Sequence, residues 1–307
     1  MVQAVKKQIE GELLLDEPMV RYTTWRVGGP ADRLYKPADL ADLVLFIQSL
    51  DADEPVFWLG LGSNLLVRDG GIRGTVIATQ GALNNLELMD DGLVRAEAGV
   101  TCAKVARFCS SQSLSEAEFL AGIPGTMGGA LAMNAGAFGS ETWDYVEAVE
   151  TLDRQGQLHV RTADEFSIGY RTVTGPENEW FVAARMRLKK NAMRDDIKKS
   201  IKQLLVERNA SQPIGQPSCG SVFRNPQNNF AAKLIEQTGL KGVCEGGACV
   251  SEKHANFIIN TGDATAQDIE TLIERVSAEV LSSQGVQLET EVRITGELLD
   301  TGERGTE

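Results

Sequence analysis

The chain has 307 residues, a length that predicts two domains or three small ones. Hydrophobic residues make up 42% and charged residues 24% of it, as in ordinary globular proteins with buried cores. The formal net charge of −13 argues against a protein that follows nucleic-acid phosphates, because that function needs a basic face. It still allows a small anionic ligand held by backbone N–H groups and a few basic side chains.

No apolar run is long enough to span a membrane. The first residues, MVQAVKKQIEGELLLDEP, lack the apolar core and cleavage site of a signal peptide. The five cysteines include no CxxC pair and the chain has two histidines, so neither a zinc site nor a disulfide framework is expected. We expect all five cysteines to be buried free thiols in a reducing cytoplasm, Cys219 being a small space-filling side chain. His254 is expected to be structural rather than a metal ligand.

The first 70 residues read as a helix followed by a strand. Apolar residues at helical spacing predict a helix over 39–50, and PVFWLG predicts a strand over 55–60. From 71 to about 190 the pattern is mostly β, with GTVIAT, LVRAEAG, VEAVETLD, QLHVRT and EWFVAARMRL as strands and one helix over 101–113.

From about residue 193 the pattern becomes α+β. Helices are predicted over 194–210, 229–239 and 265–285, the last with Thr265 and Asp268 in capping-box positions. A closing strand is predicted over 286–296, because apolar and polar residues alternate there.

The stretch LGLGSNLLV (59–67) is the first that could hold a ligand. Gly60 and Gly62 allow tight turns, Ser63 and Asn64 add short polar side chains, and exposed N–H groups in such a turn bind anions. Leu65 stands where a dinucleotide fingerprint has its third glycine, and a strand-like LLV follows, which argues against a Rossmann fold. A structural hairpin turn is the alternative.

The stretch AGIPGTMGGALAMNAGAFGSE (121–141) is rich in glycine and alanine. Such residues let the backbone approach a large ligand closely. A closely packed helix–sheet crossing is the alternative. Two glycine-rich loops flanking a β region together predict a diphosphate-bridged cofactor between two subdomains.

Three residues could perform acid–base or charge-stabilising chemistry. Arg171 in SIGYR follows a helix-like segment, Ser221 lies in CGSVFRNP, and Glu291 lies near the C-terminus. Each has a structural alternative: a surface arginine, a turn serine, and a carboxylate on the solvated face of a strand. Sequence spacing does not show whether the three converge.

These stretches, in this order, resemble the UDP-N-acetylenolpyruvoylglucosamine reductase family of flavoenzymes, which make UDP-N-acetylmuramate for bacterial peptidoglycan. The matching stretches span residues 22–297 and are YTTWRVGGPAD, LGLGSNLLVRDGG, AGIPGTMGGALAMNAGAFG, IGYR, QPSCGSVFRNP and LETEVRITGE. The resemblance implies an α+β fold, with a two-part FAD-binding module of the vanillyl-alcohol-oxidase/PCMH type and a C-terminal α+β substrate domain. It implies FAD-binding subdomains over 1–70 and 71–192, with 295–307 returning to the first, and a UDP-sugar domain over 193–294.

The resemblance also implies roles for individual residues. Non-covalent FAD would be held by Arg26, Gly60, Gly62, Ser63, Asn64, Gly122, Gly125, Thr126, Gly128 and Gly129. The implied catalytic residues are Arg171, Ser221 and Glu291, and the implied substrate contacts are Asn225 and Arg208. NADPH and UDP-N-acetylglucosamine enolpyruvate are the implied partners, in the cytoplasm, with no metal, nucleic acid or membrane. The sequence predicts no oligomeric state.

One class of this family carries a tyrosine-bearing insertion after the second domain. Here RLKK (187–190) runs almost directly into the 194–210 helix, so the chain resembles the shorter class. Arg224 in RNP replaces the commoner lysine and keeps the positive charge.

The implied mechanism has two half-reactions, in which NADPH reduces the flavin and the reduced flavin then reduces the enolpyruvyl group. Arg171 would stabilise the negative charge that spreads into the substrate carboxylate, and Ser221 would deliver a proton to C2. Glu291 fits beside an anion if it is protonated or paired with Arg171. Two alternatives are another enzyme of the same flavin fold and a non-catalytic module that binds flavin or a nucleotide sugar.

Overall fold

The computed structural model describes residues 9–190 and 192–299. The chain forms two compact units, each built from three separated segments. The first unit comprises Met1–Leu14, Leu34–Leu61 and Val76–Arg208, and the second comprises Leu15–Arg33, Gly62–Thr75 and Asn209–Glu307. The three-part division predicted from the sequence stays a prediction. Residues 1–8, which belong to the stretch predicted to lack a signal peptide, and residues 300–307 of the predicted returning segment lie outside the described residues.

The described residues contain six α-helices, four short 3₁₀ helices and eighteen strands. The α-helices are α1 (Leu40–Ser49), α2 (Cys102–Ser111), α3 (Met127–Met133), α4 (Arg194–Ser211), α5 (Ala231–Gln237) and α6 (Ala266–Gln284). The 3₁₀ helices are Met19–Arg21, Glu118–Gly122, Thr142–Asp144 and Ala163–Glu165. The strands are β1 (Glu12–Pro18), β2 (Pro30–Lys36), β3 (Val56–Leu59), β4 (Leu65–Val67), β5 (Ile72–Ala78), β6 (Leu86–Leu88), β7 (Val94–Glu97), β8 (Gly136–Ala137), β9 (Ser140–Glu141), β10 (Val146–Asp153), β11 (Leu158–Thr162), β12 (Ser167–Gly169), β13 (Thr172–Thr174), β14 (Glu179–Met186), β15 (Cys244–Glu245), β16 (Ala248–Val250), β17 (Ile258–Asn260) and β18 (Arg293–Thr295).

The core of the first unit lies between an antiparallel sheet and helices α2 and α3. The sheet has the strand order β11-β10-β14-β7-β6. Buried apolar residues of α2 and α3 pack with those of β7, β10 and β14 in one cluster. Helix α1 packs in a second cluster with Tyr35, Ile77 and Val182. The predicted helices over 39–50 and 101–113 and the predicted strand over 55–60 are confirmed.

The core of the second unit joins its three segments. Residues of α5, α6, β16 and β17 pack with the fully buried Trp25 and Leu66. Strands β15, β16 and β17 form an antiparallel sheet, and β18 pairs in parallel with β4. The predicted capping box of α6 is confirmed, because the Asp268 N–H donates to Thr265 Oγ1 over 3.0 Å and Thr265 N–H donates to Asp268 Oδ2 over 2.9 Å. The helix ends at Gly285, whose φ of +68° is left-handed.

A further sheet has the strand order β1-β2-β5-β3. The LLV stretch after GLGSN is strand β4, so the argument against a Rossmann fold is confirmed. Within the described part of the chain, no helix is both long enough and apolar enough to cross a membrane.

Three predictions of local structure are wrong. The closing strand over 286–296 is regular only from Arg293 to Thr295, because Glu291 and Val292 both donate to the same carbonyl of Val222 and interrupt the ladder. The segment before Arg171 is strand β12 rather than a helix, and it pairs with β13 as a hairpin. Cys244 and Cys249 are joined in a disulfide, because they face each other on the antiparallel strands β15 and β16.

Candidate functional site

The predicted site residues are distributed over both units. The first unit carries Gly60, Gly122, Gly125, Thr126, Gly128, Gly129, Arg171 and Arg208. The second unit carries Arg26, Gly62, Ser63, Asn64, Ser221, Asn225 and Glu291.

In the first unit, the glycine-rich stretch runs beside the residues that follow β7. The N–H groups of Met127 and Gly128 donate to the carbonyls of Val100 and Ala98, both over 2.9 Å. A Cβ on Gly128 would lie 2.9 Å from the Cβ of Ala98, and one on Gly122 would overlap the ring of Phe138. Gly128 is therefore required by close packing against the residue after β7, as the helix–sheet alternative proposed, whereas the exposed Phe138 ring could move away from a side chain at position 122.

Thr126 lies at the N-terminal end of α3, and its hydroxyl is the polar group of this stretch that is best suited to a ligand. The residue is 1% exposed, and no hydrogen-bond partner for Oγ1 occurs among the described residues. A Cβ on Gly60 would overlap Oγ1, and one on Gly129 would lie 3.8 Å from it. A buried hydroxyl without a partner is costly, so this site fits a polar ligand group such as the pyrophosphate of FAD.

Arg171 lies in the turn between β12 and β13, with a left-handed φ of +55°. Its Nη1 donates to the carbonyl of Asn134 over 3.2 Å, and its Nη2 donates to the carbonyl of Gly136 over 3.1 Å. The guanidinium carbon also lies 5.1 Å from the centre of the Tyr170 ring. The charge of Arg171 is therefore held on the backbone that follows α3.

In the second unit, the GLGSN turn packs against YTTWRVGG. Gly62 has a φ of +64°, a Cβ there would overlap the carbonyl of Tyr22, and its own carbonyl accepts from the Thr24 N–H over 3.1 Å. The turn thus requires glycine at this position. The Trp25 indole donates to the carbonyl of Ile258 over 2.8 Å and anchors the loop that carries the exposed Arg26.

Ser221 lies on backbone that is fixed by Asn256. The Val222 N–H donates to the carbonyl of Asn256, the Phe223 N–H donates to Asn256 Oδ1, and Asn256 Nδ2 donates to the carbonyl of Phe223, over 2.8 to 2.9 Å. Gly220, directly before Ser221, has a φ of +73°. The half-buried serine therefore stands between a glycine turn and a clamped, buried apolar pair.

Glu291 lies on the chain segment directly beside Ser221. The Glu291 N–H donates to the carbonyl of Val222 over 2.7 Å, and Asn64 Nδ2 donates to the carbonyl of Glu291 over 3.1 Å. The Leu65 N–H donates to Cys219 Sγ over 2.9 Å. One hydrogen-bonded framework thus joins segments 62–65, 219–224 and 289–293. It brings Asn64, Ser221 and Glu291 onto adjacent backbone.

The two predicted substrate contacts lie in different surroundings. Asn225 Oδ1 accepts from the Ala231 N–H over 3.1 Å at the start of α5, so its carbonyl end has a structural role. Arg208 lies in the last turn of α4, where burial lowers the pKa of its guanidinium from the usual value.

Sequence reasoning missed three residues that hold the site. Asn134 adopts a left-handed φ of +42°, which asparagine favours, and its place at the end of a small-residue run was a usable signal. Asn256 offered no local signal, because its partners are distant in sequence. The expectation that Cys219 only fills space is wrong, because its sulfur accepts a backbone hydrogen bond.

Comparison with known proteins gives consistent matches. The family model described as UDP-N-acetylenolpyruvoylglucosamine reductase, C-terminal domain, matches residues 212–295, and an FAD binding domain model matches residues 31–161. A UDP-N-acetylenolpyruvoylglucosamine reductase from Alkalilimnicola ehrlichii (strain ATCC BAA-1101 / DSM 17681 / MLHE-1) is 59% identical over 297 residues, which is 97% of this chain and 99% of the relative.

Two solved structures share the fold. UDP-N-acetylenolpyruvylglucosamine reductase from Thermus caldophilus superposes with a TM-score of 0.80 at 33% identity, covering 94% of this chain and 99% of the other. 6-Hydroxy-D-nicotine oxidase from Arthrobacter nicotinovorans superposes with a TM-score of 0.58 at 10% identity, covering 93% of this chain and 88% of the other. At this identity the similarity shows a shared fold and nothing more. The predicted α+β fold with an FAD-binding module is confirmed.

Proposed function

The chain belongs to the UDP-N-acetylenolpyruvoylglucosamine reductase family, and we propose that Arg171, Ser221 and Glu291 carry out its reaction. As an FAD-dependent oxidoreductase of this family, it reduces UDP-N-acetylglucosamine enolpyruvate to UDP-N-acetylmuramate with NADPH, a step of peptidoglycan precursor synthesis. It is of the shorter class, since β14 ends at Met186 and α4 begins at Arg194. The proposed location is the cytoplasm, where NADPH and UDP-activated sugars are available.

The proposed FAD contacts fall into two groups. In the first unit the Thr126 hydroxyl, with Gly60 and Gly129 beside it, would meet the cofactor. Gly125 and Gly128, whose backbone is hydrogen-bonded to Cys102 and Ala98, and Gly122 would line the cofactor with backbone. In the second unit the contacts would come from Arg26, Gly62, Ser63 and Asn64. FAD, when bound, transfers two electrons from NADPH to the substrate.

Arg171 is proposed to stabilise the negative charge that develops on the substrate carboxylate during reduction. Two backbone carbonyls fix its guanidinium, so the charge is already in position and needs no reorganisation in the transition state. Its planar fork matches a carboxylate, which an ammonium group would not do equally well.

Ser221 is proposed to donate the proton to C2 of the enolpyruvyl group, with Glu291 beside it. The observation that carries this proposal is the hydrogen bond from the Glu291 N–H to the Val222 carbonyl, 2.7 Å long, which joins the two segments next to both side chains. A hydroxyl is a weak acid, so its placement on rigid backbone must supply most of the effect. Asn225 and Arg208 are proposed to contact the substrate, Asn225 through its amide nitrogen.

The replacement Ser221→Ala tests the assignment because it separates the two half-reactions. In stopped-flow absorbance of the bound flavin, reduction by NADPH should keep nearly its normal rate. Reoxidation by UDP-N-acetylglucosamine enolpyruvate should slow by about 10²–10⁴-fold, the usual contribution of general acid catalysis.

Ser218→Ala is the matched control, since Ser218 lies three residues earlier in the same segment and has no proposed role; both half-reactions should keep their rates. An equal loss of both half-reactions in Ser221→Ala would refute the proton-donor role. Reoxidation by oxygen alone, without need for the enolpyruvyl substrate, would instead favour another enzyme of the same flavin fold.

A further inference from the structure

The β15–β16 hairpin of the second unit carries two cysteines directly opposite each other. Cys244 and Cys249 are register partners with a Cα–Cα distance of 4.1 Å, and they form a disulfide. The next pair along the hairpin is joined by the backbone hydrogen bond from the Val250 N–H to the Val243 carbonyl. In antiparallel strands, hydrogen-bonded residue pairs alternate with non-hydrogen-bonded pairs, whose Cα atoms and side chains are closer together. The two cysteines occupy such a closer pair.

The two cysteines of this hairpin differ from the other three in their access to solvent. Cys244 is exposed and Cys249 is half-buried. Cys102, Cys109 and Cys219 are fully buried free thiols, and burial raises the pKa of each to about 12. A thiol reagent in solution therefore reaches the hairpin pair, and within it Cys244 first.

The hairpin has anchors that do not depend on the disulfide. The carbonyl of Gly247 accepts from both the N–H and the hydroxyl of Thr261, over 3.0 and 2.9 Å. The Gly247 N–H donates to Asp268 Oδ2 over 3.4 Å, and Glu245 lies 3.7 Å from Arg275. Opening the sulfur–sulfur bond therefore leaves the turn attached to α6 and to the residue after β17.

We propose that Cys244 and Cys249 are a reversible thiol–disulfide pair that exchanges with low-molecular-weight thiols, with Cys244 as the sulfur attacked first. An external thiolate bonds to Cys244 Sγ and the bond to Cys249 breaks, so Cys249 leaves as a thiolate and takes up a proton. A second external thiol then attacks the mixed disulfide and releases the Cys244 thiol and an external disulfide. Two external thiols lose two electrons, and the protein disulfide gains them.

The oxidised pair is expected to stabilise the second unit. Strand β16 pairs with β17, β17 is bridged to Ser218, and Asn256 lies two residues before β17. A disulfide stabilises a protein by lowering the conformational entropy of its unfolded chain. The loop between these cysteines is short, so the gain in stability is small. The melting temperature of the oxidised form should be higher by a few degrees, while both forms remain folded.

The exchange can be measured on the full-length, flavin-loaded protein in glutathione mixtures of increasing oxidised fraction. Native alkylation followed by mass spectrometry should find two labelled thiols, Cys244 and Cys249, at the reduced end and none at the oxidised end. Far-UV circular dichroism should be the same at both ends. Labelling that does not change across the series, or a loss of the folded spectrum on reduction, would overturn the proposal.

Single-cysteine variants test which sulfur forms the mixed disulfide, the intermediate that the exchange passes through in both directions. With oxidised glutathione, Cys244 in C249S should form the mixed disulfide at least about tenfold faster than Cys249 in C244S, because accessibility limits the rate. Equal rates would contradict the assignment of Cys244.

The double variant C244S/C249S keeps the three buried thiols and is the matched control. Its melting temperature should not depend on the glutathione ratio. A dependence that survives in the double variant would trace the effect to other cysteines and refute the proposal.

Discussion

Asn134 joins more parts of the first unit than its small side chain suggests. Its Oδ1 accepts from the Trp143 N–H over 3.1 Å, and its Nδ2 donates to Glu141 Oε2 over 2.7 Å and to the Gly169 carbonyl over 3.3 Å. The residue is 2% exposed, and its own carbonyl accepts from Arg171. Asn134 therefore fixes both the carbonyl that holds Arg171 and the strand that leads to it.

Asn134→Gly should loosen Arg171 without obstructing the left-handed backbone, since glycine adopts positive φ freely. We expect NADPH to reduce the flavin at a nearly normal rate and the enolpyruvyl substrate to reoxidise it about tenfold more slowly, a barrier increase of about 1.4 kcal/mol. Stopped-flow measurement of both half-reactions gives the two rates.

Asn178→Gly is the control for the backbone change, because Asn178 is an exposed residue of the same unit with a φ of +56°. It should leave both half-reactions unchanged. If Asn134→Gly slowed both half-reactions equally, its role would be general stability rather than the positioning of Arg171.

Helix α6 shows which features of a helix the local sequence determines. Its capping box and its terminal Gly285 could be read directly, and its buried residues Ile269, Leu272, Ile273, Val276 and Val280 recur at helical spacing. The carboxylate of Asp69, which accepts from the N–H groups of Ala266 and Gln267 over 3.0 Å each, could not be read, because it comes from a distant segment. Local chemistry predicted where the helix lies, and tertiary structure supplies a further anchor at its start.

Thr265→Ala should destabilise the second unit by about 1 kcal/mol, because the Asp268 N–H at the helix start loses its acceptor. A thermal melt should show a decrease of roughly 2–4 °C. Thr271→Ala is the control, because it makes the same change inside the helix, where alanine has the higher helix propensity. It should change the stability of the second unit little. Equal losses in the two variants would show that the cap contributes nothing specific.

An ion-pair network on the five-stranded sheet of the first unit links stability to pH. Glu150 on β10 is 9% exposed and accepts hydrogen bonds from Arg95 and Arg185 over 2.7 to 2.9 Å. Burial alone would raise the pKa of Glu150, but the hydrogen bonds and charges of the two arginines outweigh it and hold the pKa below its usual range. A carboxylate with a lowered folded-state pKa stabilises the protein above its unfolded pKa, and this stability is lost as the pH falls through the folded value.

Glu150→Gln should therefore lower the melting temperature at neutral pH, and the difference from the unchanged protein should shrink below about pH 4.3, the usual glutamate pKa. Melting curves across a pH series measure that difference. Glu87→Gln is the control, since Glu87 is about half exposed and lies 3.7 Å from Arg95, and surface pairs contribute little. A difference for Glu150→Gln that did not change with pH would contradict the linkage.

Periodicity and caps predicted most helices, because these signals are local. The resemblance carried by the short motifs implied the fold class. The sequence did not predict that Ser221 and Glu291 lie on adjacent backbone, because their hydrogen bond joins segments from separate parts of the chain. It also missed the Cys244–Cys249 disulfide, since counting cysteines gives no register between strands. The chain passes between the two units five times: inside strands β1, β2 and β5, in the GLGSN turn and inside helix α4. A boundary inside a strand or a helix leaves no local signal in the sequence.

The interleaving of the two units has a consequence for synthesis on the ribosome. The core of the second unit needs Trp25 and Leu66 as well as α5 and α6, so it cannot be completed until almost the whole chain has been made. Domains built from one continuous segment usually fold in order as they emerge. Here, the earliest-made residues of the second unit must stay available while most of the first unit is translated, and residues 212–295 expressed alone would lack both of these core side chains.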